Sequence, residues 1–217
     1  MIWTAGNDEA DSVRFGAIGY FNTGGGDNCL VNKLPADQKR ALLPVLIRAM
    51  QDAGNNSLRH NTSILLKYFP EYRDELAPVL VKALQDSETY VRVYAAEALN
   101  RVAPNVAKKA GATSLLVSIA KKSEAEFAAK AIDALGHDGS QPELAVPALI
   151  ECLQNTNTTL GCEAVWALEW APAEFTAYSD TIIPALGMAA QRKDNVGGYA
   201  KVAQGRWKSR SAAPPDQ

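Results

Sequence analysis

Histidine is close to absent from this chain: its 217 residues include two, His60 and His137. Cysteine is scarce too, with Cys29, Cys152 and Cys162 and no Cys-x-x-Cys spacing. An odd, widely spaced set fits neither a disulfide framework nor a zinc site. Neither sign of charge dominates, and the formal net charge is −2. Nucleic-acid-binding domains carry a basic excess, so this balance argues against a nucleic acid as partner. No apolar run approaches the roughly 20 residues of a membrane-spanning helix, so no membrane role is expected. The opening MIWTAGNDEADS lacks the basic and apolar regions of a secretory signal. The triple glycine Gly24–Gly26 is not followed by Gly-Lys-Ser/Thr, so it reads as a loop, not a phosphate cradle. No cofactor motif is present.

What the sequence does contain is repetition. Residues 42–50, LLPVLIRAM, and 76–84, LAPVLVKAL, are offset by 34, and proline returns in like context at Val146-Pro147 and Ile183-Pro184. Self-similarity at this period means stacked supersecondary units. Each unit divides into two helices, A and B. Leu76, Leu80, Ala83 and Leu84 make one amphipathic stripe, matched by Leu42, Leu46, Ala49 and Met50. Further A stripes run through Ala112, Leu116, Ile119 and Ala120, through Ala145, Leu149, Cys152 and Leu153, and through Ile182, Leu186, Ala189 and Ala190. The recurring proline is placed in the first turns of helix A, where a missing N–H is tolerated.

The B stripe is Val91, Ala95, Ala98, Leu99 and Val102. Shifts of 33 to 36 residues carry it onto Leu58–Phe69, Phe127–Leu135, Leu160–Ala171 and, more weakly, Val196–Trp207. The expected organisation is one all-α, α-solenoid domain of stacked helix pairs over 1–208. It comprises a partial unit at about 8–21, a loop at 22–37, and full units at about 38–70, 74–104, 110–138, 142–172 and 179–208. A disordered tail is expected over 209–217. In the partial unit Val13, Ala17, Tyr20 and Phe21 form an apolar side for which only Ile2 and Trp3 offer cover. An open end of this kind implies a missing upstream repeat, a partner, or end-to-end self-association.

The segments LAPVLVKALQD (76–86) and VRVYAAEALNRV (91–102) resemble HEAT repeats, in particular the short bacterial type called phycobilin-lyase HEAT-like repeats. The likeness spans about 8–207 and is strongest at 40–103. It implies A helices outside and B helices on a concave side. It also implies an Asp–Arg pairing between helices, which falls on Asp86 with Arg92, Asp52 with Arg59, and Asp8 with Arg14. Pairs of this kind in neighbouring units form a structural ladder, which breaks where the third unit has Lys122 and Ala128 and the fourth Asn155 and Gly161. Deoxyhypusine hydroxylase, a HEAT-repeat enzyme, binds iron through His-Glu pairs; here the pairs are His60-Asn61 and His137-Asp138, so that activity is not expected. A lyase-type enzyme or subunit, or a fragment of a longer array, is the alternative to a non-catalytic scaffold.

The candidate binding surface is a row on helix B, clear of the core stripe. It takes Ile64 and Tyr68, Glu97 and Arg101 with Tyr94 nearby, Asp133 and His137, Trp166 and Trp170, then Val202 and Arg206. Trp and Arg are favoured at binding hot spots, which points to a protein or peptide partner. Lateral packing between neighbouring B helices is the competing reading for Trp166 and Trp170. Cys152 falls on a core stripe; Cys162 falls outside one, where exposure is expected.

Overall fold

The computed structural model describes Gly16, residues 18–21 and residues 29–212. The helices bounded within these are α1 (Ala36–Met50), α2 (Asn56–Leu66), α3 (Arg73–Ala83), α4 (Thr89–Val102), α5 (Pro104–Ala110), α6 (Ala112–Lys122), α7 (Ala125–Gly136), α8 (Pro142–Cys152), α9 (Thr158–Glu169), α10 (Ser179–Ala189) and α11 (Asn195–Ala212). Among the described residues there is no strand. The chain divides into two compact units, Met1–Ala110 and Gly111–Gln217.

In the first unit α1 pairs with α2 and α3 with α4, and α2 lies beside α4. In the second, α6 pairs with α7, α8 with α9 and α10 with α11, while α7, α9 and α11 lie side by side. Each unit is therefore a layer of A helices on a layer of B helices. The core follows the two stripes: Leu80, Leu84, Ala95 and Leu99 are buried in the first unit, and Leu149, Ala164 and Leu168 in the second. Trp207, the weakest match to the B stripe, is almost fully enclosed, and its Nε1 donates to the Leu168 carbonyl at 2.8 Å. Phe127 and Ala190 are only half-buried. Alanine recurs in the stripes because B helices approach closely. A Cβ at Gly136 of α7 would stand 2.6 Å from Cβ of Ala167 in α9.

Several expectations need correction. The A-helix prolines Pro44, Pro78, Pro147 and Pro184 lie inside their helices, past the first turn. All four face solvent, so the carbonyl that each leaves unbonded one turn earlier is available to water. The loop assigned to 22–37 contains a 3-10 turn at Leu30–Lys33, and α1 begins at Ala36. Helix α5 was not anticipated: PNVAKKA is too short to show a period. Of the tail placed at 209–217, residues 209–212 belong to α11, and residues 213–217 lie outside the described residues. Of the N-terminal apolar side, Phe21 is buried with Ile18 but Tyr20 is exposed; Val13, Ala17, Ile2 and Trp3 lie outside the described residues.

The inter-helix ladder uses other partners than expected. Asp86 receives Arg59, with Nε to Oδ2 at 2.8 Å and Nη2 to Oδ1 at 3.0 Å. Arg59 also donates to the Asp52 and Ala53 carbonyls at the end of α1, where the helix presents its negative pole. Arg92 donates to the Asp86 and Ser87 carbonyls and not to the Asp86 carboxylate. Thus each arginine caps the turn of its own pair, and for Arg59 the carboxylate is supplied by the pair that follows. Asp8 and Arg14 lie outside the described residues. In the second unit Arg192 reaches back to the Leu153 and Asn155 carbonyls and pairs with Asp194. Gly161 stands where an arginine would otherwise be, and the Arg192 guanidinium lies beside it.

Candidate functional site

The sequence-predicted surface falls into two seams, one in each unit. In the first unit it lies between α2 and α4. The His60 ring stacks on Tyr90 at 4.8 Å and on Tyr94 at 5.5 Å between centroids. Burial pushes the His60 imidazole below its ordinary pKa, which favours the neutral ring. Further along, Lys67 Nζ meets Glu97 Oε1 at 2.7 Å. Lys67 and Arg101 lie over the Tyr68 ring, 5.5 and 5.8 Å from its centroid. Tyr68 is only 5% exposed, so it packs and does not present a surface. Burial accordingly pushes its phenol pKa up. Ile64, Tyr94 and Glu97 are half-buried, and Arg101 alone of the five stands in solvent.

The second unit differs. On α7, Asp133 and His137 are both exposed, with His137 Nδ1 2.9 Å from the Asp133 carbonyl. Between α9 and α11, the aromatic row is open. Trp170, the residue that closes α9, is 70% exposed, and Trp166 one turn earlier is 39% exposed. Lateral packing between neighbouring B helices would leave Trp170 less exposed than this. Trp166 does touch Tyr199 of α11, with centroids 5.5 Å apart, and Tyr199 is itself 44% exposed. Val202 completes the patch at 53%. The Arg206 guanidinium lies 5.8 Å from the Trp170 centroid and pairs with Glu169.

The two seams are built alike. Shifting Tyr94 and Arg101 by 105 residues gives Tyr199 and Arg206; shifting Ile64 and Tyr68 by 102 gives Trp166 and Trp170. The arginine-over-aromatic contact recurs with them at the same distance. What differs is that Glu97 becomes Val202 and the small, covered Tyr68 becomes a larger ring that its surroundings leave bare. Tyr199 was the contact residue missed from sequence, although its equivalence to Tyr94 was available. Cys162, expected in solvent, is buried beside Arg192 and Asp194 of the next turn, and burial raises its thiol pKa. Among the described residues no three His, Cys, Asp or Glu side chains gather as metal ligands, and no helix is long and apolar enough to cross a membrane.

The geometry is that of repeat proteins, and comparison bears this out.

Residues 76–106 match the HEAT repeat family model.

Among solved structures, a designed armadillo repeat protein in complex with the peptide (KR)4 is similar, with TM-score 0.63 and 17% identity over 95% of this chain and 97% of the other. An engineered protein is similar with TM-score 0.59 and 18% identity over 96% and 95%. An archaeal HEAT-like repeats protein from Thermococcus onnurineus NA1 gives TM-score 0.51 and 15% identity over 97% and 87%. The fold is thus that of the armadillo and HEAT-like α-solenoids. No curated protein sequence matches this chain.

Proposed function

We propose that the chain is a non-catalytic scaffold that binds a protein or peptide on the open face of its B helices, centred on α9 and α11. The supporting observation is the bare Trp170 beside Trp166, Tyr199 and Val202. Large amphipathic rings left in water are costly to present and are typical anchors of binding hot spots. A similar fold, the designed armadillo repeat protein, carries a peptide, which supports a peptide as the ligand class. On this reading the repeats are of the short bacterial HEAT-like type, by the Val91-Arg92 and Ala95-Ala96 pattern.

The test is selection of displayed peptides on the parent chain, followed by affinity measurement on the Trp166→Ala/Trp170→Ala double variant. Selected peptides should lose about tenfold or more in affinity, a hot-spot loss, while the melting temperature stays near the parent's. Equal affinity for both proteins, or a variant that melts well below the parent, would return the tryptophans to packing.

A further inference from the structure

Where α7 meets α9, the second unit carries two carboxylates with little to balance them. Glu163 of α9 is half-buried, and its carboxylate has no hydrogen-bond or ion-pair partner among the described residues. Asp133 of α7 lies near it, and the contact of the Asp133 carboxylate is the His137 ring, Nδ1 to Oδ1 at 3.9 Å. Burial, and then the Asp133 charge, push the Glu163 carboxyl above its ordinary pKa, as like charges across a seam do. Lys130 is the neighbouring cation, yet it forms no ion pair with either carboxylate among the described residues. The Arg206 guanidinium is committed to Glu169.

The exposed rings stand beside these carboxylates. Residues 163, 166 and 170 are spaced i, i+3 and i+7, which places Glu163 on the same face of α9 as Trp166 and Trp170. Helices α7 and α9 lie side by side and touch at Gly136 and Ala167. A shift of 33 residues carries Asp133 onto Trp166, so the α7 carboxylate occupies the row of the first indole. An indole face in water attracts a cation through its quadrupole, and a carboxylate at its edge adds to the attraction. The fold uses the same contact internally: Arg101 lies over Tyr68, Arg206 over Trp170 and Arg210 over Trp207.

We propose that this surface seats an arginine side chain of a basic peptide segment, with the guanidinium against the α9 indoles and donating to Glu163 and Asp133. The inference rests on the peptide-binding reading and names the charge of the ligand. A guanidinium is planar and weakly hydrated, so it can lie on a ring while its edge donates to a carboxylate; an ammonium holds its water more tightly and has no flat face. An acidic segment would meet Glu163 and Asp133 with like charge. A neutral one would leave both carboxylates uncompensated. Arg206 does not oppose a basic ligand as a free cation would, because Glu169 balances it.

The experiment is fluorescence anisotropy of dye-labelled peptides titrated with the full chain. Four hexapeptides alternate glycine with arginine, lysine, glutamine or glutamate. The arginine peptide should bind most tightly, the lysine peptide more weakly, and the glutamine and glutamate peptides least. Trp170→Ala should weaken the arginine peptide about tenfold or more. Asp133→Asn and Glu163→Gln should each weaken it about threefold, and Lys130→Gln should strengthen it about twofold, with melting temperatures near the parent's. A lysine peptide that binds as tightly as the arginine peptide overturns the arginine assignment. So does an arginine peptide whose affinity is unchanged in the Asp133→Asn/Glu163→Gln double variant. Trp170-dependent binding of the glutamine or glutamate peptide at the affinity of the arginine peptide overturns it too, while leaving the peptide-binding face standing. No Trp170-dependent binding of any of the four removes both.

Discussion

Arg59 donates through all three of its guanidinium nitrogens, to one carboxylate, one amide oxygen and two carbonyls, and it is buried. Burial alone pushes the Asp86 carboxyl up. Hydrogen bonds from Arg59 and from the Glu88 N–H outweigh this and hold it below its ordinary range. Removing one member of such a pair strands the other. Arg59→Met should therefore cost about 3 kcal/mol in urea denaturation. The sign of the pH effect follows from the depressed carboxyl. The contribution is present above the unfolded pKa of about 4 and is lost as pH falls through the folded value. Melting temperatures measured down an acid series should fall less steeply for Asp86→Asn than for the parent. Sequence named Asp86 and Arg59 but paired each within its own turn, because spacing along the chain cannot show that a long guanidinium reaches the next pair. The bare state of Trp170 was equally hidden: its helical position is the same as that of covered Tyr68, and only the neighbours differ.

At the scale of the element, the helix pairs were readable because two apolar stripes hold their phase across units. Leu99 is fully enclosed, so Leu99→Ala should cost about 2–5 kcal/mol in chemical denaturation. The close approach of α7 and α9 at Gly136 offers a sharper test of packing. Its missing Cβ would overlap the Ala167 side chain and backbone, the carbonyl oxygen lying 2.9 Å away. Gly136→Ala gains helix propensity, yet it should destabilise by about 1–3 kcal/mol because the helices must separate. A stabilised variant in the same denaturation assay would show that the two helices are free to move apart. Such a contact is invisible to periodicity, which reports which side of a helix is apolar and not how near its neighbour comes. Helix α5 escaped for a related reason, since seven residues contain too few turns to display a period.

At the scale of the whole molecule, contacts divide the chain into two compact units between Ala110 and Gly111. Gly111 is the one residue with positive φ among those described, at +75°, a conformation that costs side-chain-bearing residues and marks a break in the helical path. Where repeats interact with their neighbours alone, damage stays local. Leu99→Ala should thus accelerate amide hydrogen exchange in α1–α4 while α8–α11 keep parental protection. Uniform acceleration through both units would mean that the chain unfolds as one cooperative body.

The three thiols provide a consequence of their own. Cys29 lies in the first unit and Cys152 and Cys162 in the second, and all three are buried. Burial also holds the Cys152 and Cys162 thiols in their protonated, unreactive form. In the folded protein a chromogenic disulfide reagent has nothing to attack, so every thiol it consumes records an opening event. One cysteine times the first unit and two time the second, and single Cys→Ser variants would separate the signals. The chain is in effect supplied with built-in stopwatches, one for each half, that run without any label being introduced.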